Sequence, residues 1–301
     1  MNIILVGGTG LIGRELTAAL LADNHQVWVL SRNPQAASLP PGAQMAAWDA
    51  RTSAGWGRLV EEADAIFNLA GENLGAHLWT PAHKEEVLSS RANAGQAVMQ
   101  ALIAAKRRPA VLVQASAIGY YGASDDRILD EYSLSGKDWQ ARVCLDWEAS
   151  TQEAERMGIR RVVVRTGLVL TKNGGVLPKL LLPFRLLAGG PLGSSKQYYS
   201  WITMQDEIWA LLFLMKNENA AGVFNLTAPN PLTQAEFGQV AAQVLRRPYW
   251  FPTPAFALRL ALGEMSTLVL DGQRVIPKRL SDMGFSFSHE QLKPALRAIL
   301  A

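Results

Sequence analysis

The stretch Gly7-Gly8-Thr9-Gly10-Leu11-Ile12-Gly13 constrains this chain more than any other, because it joins the apolar run Ile3-Ile4-Leu5-Val6 to a helical spacing of Leu16, Leu20 and Leu21. The order is strand, glycine turn, helix. Read from Gly8 the spacing is G-x-G-x-x-G, and read from Gly7 it is G-x-x-G-x-x-G. One glycine must turn sharply out of the strand, one must let backbone approach a pyrophosphate, and one must let the helix pack tightly on the strand. The helix start then offers unpaired N–H groups and a positive dipole end to phosphates. A tight structural turn is the alternative reading, and the buried strand before it and the helix after it favour a dinucleotide.

The next strand bears on which dinucleotide. Gln26-Val27-Trp28-Val29-Leu30 leads to Ser31-Arg32, about twenty residues beyond the turn, where Asp or Glu ordinarily holds the ribose 2′-OH of NAD and Arg accommodates the 2′-phosphate of NADP. No carboxylate stands at this strand end. Arg32 is either that phosphate partner or an ordinary solvated residue, and the sequence favours NADP(H) over NAD(H).

With 301 residues, 49% hydrophobic and 18% charged, the chain can bury a large core. Its net charge of +3 is mild, and the tight basic runs Lys106-Arg107-Arg108 and Arg246-Arg247 each precede a proline, where cations suit a helix end. Nucleic acid is not needed to explain them. The single cysteine, Cys144, rules out an internal disulfide, and His25, His77, His83 and His289 are too scattered for metal-ligand spacing. The first strand begins at once, leaving no room for a signal peptide, and Pro183 with Lys179 and Arg185 breaks the most apolar stretch. The expectation is a cytoplasmic protein with no membrane, metal or nucleic-acid partner.

Residues 33–60 read as a loop-rich connection with a short strand near Gln44 to Trp48, and Ala63 to Gly71 reads as a buried strand that ends in the small residues Ala70 and Gly71. Open α/β sheets bind ligands at such carboxyl ends. A helix is expected from Pro81 toward Ala105, carrying Glu86 and Arg91; Arg91 either faces the cofactor or pairs with a helix carboxylate. Then comes the strand Ala110 to Ala115, with Ser116-Ala117-Ile118-Gly119-Tyr120-Tyr121-Gly122 at its end.

These motifs, in this order, resemble the extended short-chain dehydrogenase/reductase superfamily of sugar epimerases and dehydratases. Arg165-Thr166-Gly167-Leu168-Val169-Leu170, the loop Gly189-Gly190-Pro191-Leu192-Gly193, Trp201-Ile202 leading to Asp206, and Gly272-Gln273-Arg274-Val275-Ile276-Pro277 resemble one branch of it. That branch holds epimerase-family proteins of undefined activity with a short appended C-terminal domain. The resemblance spans essentially the whole chain. It implies cofactor contacts at the glycine turn from Gly7 to Gly13, Ser31, Arg32, Leu69, Ala70, Gly71, Glu86, Arg91, Leu168 and Val169.

Active members of that superfamily carry Tyr-x-x-x-Lys and a Ser or Thr at the end of the fourth strand, and this chain departs from both. Four residues after Tyr120, Tyr121, Tyr132, Tyr198, Tyr199 and Tyr249 stand Ser124, Asp125, Gly136, Ile202, Thr203 and Thr253. None is Lys. The Ser/Thr position falls at Ala117, with Ser116 one residue off, and the helix expected from Asp138 to Met157 offers Cys144, Asp146, Trp147 and Glu148 instead. The catalytic candidates that remain are Tyr121, in the Tyr-Gly position, and Ser116. A tyrosine with no nearby Lys stays protonated at neutral pH and could give a proton to an alkoxide, although packing alone also explains the ring.

Residues 174–204 interleave Lys179, Arg185, Lys196 and Gln197 with Phe184, Tyr198, Tyr199 and Trp201, the polar hooks and aromatic walls that a small polar ligand requires. Arg185 and Tyr198 are the substrate candidates, and a packed lobe with solvated cations is the alternative. Helices are expected from Thr233 and from Phe256. The architecture expected is α/β: a Rossmann-type doubly wound parallel sheet over residues 1–170, then a smaller C-terminal substrate lobe and appended domain over 171–301, with some strands returning to the first sheet. Two functions fit this reading. One is an NADP(H)-dependent oxidoreductase or epimerase-like enzyme on a small carbonyl or sugar-type substrate; the other is a catalytically silent NADP(H)-binding regulatory protein. The sequence names neither the substrate nor the oligomeric state.

Overall fold

A computed structural model describes residues 1–35 and 39–301. Strand β1 (Asn2–Val6) lies between β2 (Gln26–Ser31) and β4 (Ala65–Asn68), all parallel, with Val6 level with both Leu30 and Asn68. Strand β3 (Gln44–Ala47) extends the sheet beyond β2, and β5 (Val111–Ala117) pairs with β4 on the other side. The chain crosses from one side of β1 to the other between β3 and β4. That reversal opens a crevice at the carboxyl ends of β1 and β4, where such sheets receive ligands.

Strand residues alternate between two buried faces, as a parallel sheet covered on both sides requires. Ile3, Leu5, Val27, Val29 and Phe67 pack against Leu16 and Leu20 of helix α1 (Leu11–Ala22). Ile4, Val6, Leu30 and Ile66 pack against Ala94, Ala97, Val98, Ala101 and Leu102 of helix α2 (Pro81–Ala104), whose start is capped by Thr80 and whose first residue is proline. Small residues on α2 let it lie close to the sheet. At Gly95 a Cβ would collide with the Ser150 hydroxyl.

The helix expected from Asp138 to Met157 is broken. Helix α3 (Trp139–Ala149), capped by Asp138, stops at Ser150, and a short α4 (Glu153–Arg156) follows. Side chains explain the interruption. Ser150 Oγ donates to the Trp147 carbonyl at 2.7 Å, while the buried Thr151 hydroxyl donates to Gln114 Oε1 at 3.1 Å and accepts from Arg161 Nε at 3.1 Å. Short hydroxyl side chains that bond backbone or buried partners compete with helix continuation.

Three short strands separate the next two members of the main sheet, Arg160–Thr166 and Gly222–Leu226. Strand β6 (Ile128–Leu129) lies apart, β7 (Arg160–Thr166) pairs with β5, and β8 (Leu168–Leu170) leaves the main sheet after Gly167. Helix α5 (Leu177–Arg185) and β9 (Tyr198–Tyr199) build a small lobe around Leu177, Leu181, Phe184 and Phe237. The chain then returns. Strand β10 (Trp201–Thr203) pairs with β8, helix α6 (Met204–Lys216) packs on α1, and β11 (Gly222–Leu226) pairs with β7 as the seventh strand of the main sheet. Strand β12 (Leu232–Thr233) pairs with β9, and Thr233 forms a capping box with Glu236 at the start of α7 (Gln234–Leu245). Helices α8 (Ala255–Leu262) and α9 (Thr267–Leu270) precede β13 (Arg274–Val275), which runs back to pair with β6. Among the described residues, no helix is long and apolar enough to cross a membrane.

Leu20 is fully buried between α1 and the sheet. Leu20→Ala should destabilise the protein by about 2–5 kcal/mol through lost burial and the cavity left behind, read from denaturant unfolding of the two proteins.

Candidate functional site

The glycines of the β1–α1 turn divide the work between packing and access. Gly7 has φ +88°, and a Cβ there would sit 2.7 Å from the Ala70 backbone nitrogen at the end of β4. At Gly13 a Cβ would run into the Gly7 carbonyl oxygen, and at Gly8 it would lie 2.7 Å from Val29. Gly10 differs. It is the N-cap of α1, and a Cβ there would meet only the Gly7 carbonyl oxygen, at 3.3 Å. The space above Gly10 is therefore open toward solvent. No side chain caps α1, its first turn holds no acidic residue, and among the described residues the amides of Leu11, Ile12 and Gly13 have no hydrogen-bond partner. Unpaired amides at an open helix start form an anion cradle.

A cavity of about 190 Å³ opens beside that cradle. It brings together Gly7, Thr9, Gly10, Ser31, Arg32, Leu69, Ala70 and Gly71, and adds Trp48, Ala50, Glu72 and Ser90, which sequence reasoning did not single out. Trp48 follows β3, a strand whose distance from the turn is large in sequence and small in space. Arg32 is exposed at the rim, and among the described residues it has no ion-pair partner. Gly8 and Gly13 pack the turn rather than face the cavity. Glu86 is exposed on α2, 3.8 Å from His83 Nδ1, and lines neither this cavity nor the next.

A second cavity, of about 180 Å³, lies further along the carboxyl ends of the strands. Ala117 to Gly119, Gln140, Cys144 and Trp147 form one wall, and Thr166 to Leu168 with Tyr198 form another. The third wall is Thr267, Leu268, Asp271, Gly272 and Gln273 from the C-terminal tail. Burial, with some repulsion from Asp138, raises the Asp271 carboxyl above the usual carboxylate range. Tyr198 also carries the Arg274 guanidinium over its ring, at 5.0 Å. Val169 turns away into the core shared with α6.

Arg91 joins the two cavities. It lines the second, while Gly71 of the first is so close that a Cβ there would lie 2.9 Å from the Arg91 Cζ. Its Nη1 donates to the carbonyls of Glu72 and Val87, each at 3.0 Å, and its guanidinium lies 4.6 Å over the Trp147 ring. Burial lowers its pKa to about 10, which leaves it charged at neutral pH. Spacing on α2 leaves open whether Arg91 pairs with a helix carboxylate or faces the ligand crevice; the structure places it at the crevice, bonded to backbone carbonyls.

The two catalytic candidates from the sequence lie elsewhere. Ser116 points to the opposite side of β5 from Ala117 and donates to Glu148 Oε1 at 2.7 Å. The Tyr121 hydroxyl, expected to serve substrate, instead donates to Asn225 Oδ1 at 2.7 Å and accepts from Arg165 Nη1 at 3.1 Å. Arg165 makes a two-pronged pair with Glu148, Nε to Oε1 at 2.8 Å and Nη2 to Oε2 at 3.0 Å. Glu148 holds Arg165 above its ordinary pKa, and burial pushes the Tyr121 phenol up to about 12. Tyr121 lines neither cavity, because Arg165 and Asn225 draw its ring inward between β7 and β11. Cys144 does face the second cavity, one turn before Glu148 on α3, with its thiol 3.5 Å from the Ala117 carbonyl and its pKa pushed up to about 11 by burial.

Of the substrate candidates, Tyr198 lines the second cavity and Arg185 does not. Leu177, Leu181 and Phe184 face inward on α5, so the next residue, Arg185, is turned out to solvent. The tail residues Asp271 and Gln273 were not identified as site residues from sequence. They reach the cavity because Gly272 packs against the Tyr198 carbonyl so tightly that a Cβ would collide with it. Among the described residues, no group of three or more His, Cys, Asp or Glu is placed to hold a metal ion.

Residues 3–227 match the model of the NAD dependent epimerase/dehydratase family. The chain belongs to that family. Residues 253–299 match a domain of unknown function, DUF1731. The chain is 40% identical over 303 residues to the chloroplastic epimerase family protein SDR39U1 homolog of Arabidopsis thaliana, covering all of this chain and 87% of the relative. It is 38% identical over 302 residues to the epimerase family protein YfhF of Bacillus subtilis, covering 100% of this chain and 98% of that one. The human epimerase family protein SDR39U1, solved with NADPH, superposes with a TM-score of 0.89 at 34% identity over 99% of both chains. The UDP-glucose 4-epimerase of Thermus thermophilus, solved with NAD, gives 0.79 at 17% identity over 100% of this chain and 98% of that one, a likeness of fold.

The Glu148–Arg165 pair is almost wholly buried, so removing one partner strands the other's charge. Glu148→Ala should cost about 3–5 kcal/mol of unfolding free energy, whereas Tyr121→Phe, which deletes one hydrogen-bonding hydroxyl, should cost about 1 kcal/mol. Chemical denaturation of the two variants checks the contrast.

Proposed function

We propose that this protein binds NADP(H) and uses it to reduce a small carbonyl compound held in the second cavity. The single observation that carries the choice of cofactor is Arg32, exposed at the rim of the first cavity without an ion-pair partner among the described residues. It stands where an NAD site places a carboxylate. The glycine turn fits the cofactor independently: Gly10 leaves its backbone open, the first amides of α1 are free to meet a pyrophosphate, and Gly7 and Gly13 hold the cradle in shape. The NADPH named with the human relative agrees with this reading. A nicotinamide cofactor would supply hydride. This chain's own residues bind and orient it, with Arg91 a fixed positive charge between the two cavities.

The second cavity suits a small ligand by its volume. Gln140 and Tyr198 are the polar hooks and Trp147, Leu168 and Leu268 the apolar walls. A second reading, a silent NADP(H)-binding regulatory protein, is favoured by one observation: Ala117 stands at the superfamily's Ser/Thr position, and the helix expected to carry its Tyr and Lys offers Cys144, Asp146, Trp147 and Glu148 instead. The tail wall favours the enzyme, because it encloses a ligand-sized space next to the nucleotide crevice.

Arg32→Ala should weaken NADPH binding by roughly ten- to a hundredfold, since a charge-assisted phosphate contact is worth about 1.5–3 kcal/mol, and should leave NADH binding unchanged. Calorimetric titration of both cofactors tests it. Equal affinities for NADPH and NADH in the parent protein would overturn the NADP(H) assignment.

A further inference from the structure

The second cavity is lined by neither of the catalytic candidates that the sequence offered. Ser116 and Tyr121 are committed elsewhere, and the Cys144 thiol is directed to the Ala117 carbonyl. One buried acid reaches the cavity through a single side chain. Glu207, on the first turn of α6, is 1% exposed, and its Oε1 lies 2.8 Å from the Thr166 hydroxyl. Its Oε2 is buried and has no hydrogen-bond partner among the described residues. Thr166 ends β7 and lines the second cavity. Burying an acid whose second oxygen has no partner costs free energy that a Leu at the same place would avoid.

We propose that Thr166 is the proton donor of the cavity and that Glu207 is the buried acid that resupplies it. The proposal rests on the reductive reading given above. As hydride from the reduced nicotinamide bonds to the carbonyl carbon, the C=O π pair moves onto oxygen, which takes the Thr166 hydroxyl proton. Glu207 returns a proton to Thr166 and becomes a carboxylate. The products are an alcohol and the oxidised nicotinamide, and solvent later reprotonates Glu207.

Burial pushes the Glu207 carboxyl from its ordinary 4.5 up to about 8, so it carries a proton at neutral pH. With its proton on Oε1, it donates to Thr166 and frees the threonine hydrogen to point into the cavity. Among the described residues, no charged side chain opposes this arrangement. Asp206, next on α6, is held by Thr203 and Ser288. On β7, Arg165 faces Glu148, Arg161 faces Glu155, and Arg160 is bonded to carbonyls at the far end of α6. Arg14 of α1 bonds the Thr9 carbonyl and Glu15 is exposed. β5, β8 and β10, also packed on α6, carry no charged residue.

The test uses the full chain with NADPH and diacetyl, a small dicarbonyl probe, in single-turnover absorbance measurements. Thr166→Val and Glu207→Gln should slow NADPH oxidation by roughly a hundredfold or more, the usual scale of general-acid catalysis. Thr166→Ser should restore most of the rate, and calorimetry should find NADPH affinity unchanged in all three. The parent rate should fall as pH rises through about 8, where Glu207 loses its proton, and Glu207→Gln should abolish that fall.

A readout without turnover tests the acid itself. Glu207 is held neutral in the fold, so its stabilising contribution is complete below about pH 4.5 and is lost as pH rises through about 8. Parent unfolding midpoints should therefore decline across that window more steeply than those of Glu207→Gln. Matching pH profiles of stability, or parent-like rates in Thr166→Val, would overturn the relay alone. A parent protein that binds NADPH and never reduces diacetyl would overturn the reductive reading and the relay with it.

Discussion

Backbone meets backbone at the β1–α1 turn, and the rest of the site takes its position from that contact. Gly7 lies against the end of β4 and Gly13 lies against Gly7, each so close that one methyl group would force the elements apart. The result is a helix start held at the mouth of the sheet's crevice with its amides uncovered. Contacts of this kind are rigid because no rotamer can relieve them, and they hold the anion cradle and the carboxyl ends of β1, β2 and β4 in one frame.

Past the cradle, a salt-bridged network stands behind one wall of the second cavity. The helix that faces the second cavity presents Cys144, and one turn later Glu148 is clasped by Arg165, which in turn holds Tyr121 and lies 3.2 Å from the Tyr120 ring centroid. This network ties α3 to β7 and, through Asn225, to β11. It binds sheet to helix on one side of β7, while on the other side Thr166 meets Glu207 of α6.

Much of this was legible in the sequence because it is local. Continuous apolar runs marked β1, β2, β4 and β5, the glycine spacing marked the cradle, and a helical pattern marked α7 from Thr233. The one-residue offset between Ser116 and Ala117 was also readable, since side chains on a strand alternate faces. Side-chain direction outside regular strands was not. Tyr121 sits in a 3₁₀ turn, and its ring goes where Arg165 and Asn225 draw it from distant parts of the chain. Arg185 carries the right charge but follows the inward residue Phe184. The helix after Asp138 was read as continuous because its break at Ser150 depends on Gln114 and Arg161, which no helical pattern includes. The tail wall is the most distant case, held by Gly272 against Tyr198 and by β13 against β6.

That wall has a consequence for how the molecule is made. The seventh strand of the main sheet ends at Leu226, whereas the residues that close the second cavity begin at Thr267. Synthesis proceeds from the N-terminus and domains tend to fold as they emerge. The nucleotide crevice is thus complete in sequence while the ribosome still holds the segment that closes the second cavity. Closing that cavity then brings together residues far apart along the chain, such as Leu129 and Val275, and non-local pairings of this kind are slow to form. Until the tail arrives, the second cavity lacks one side and stands open to solvent.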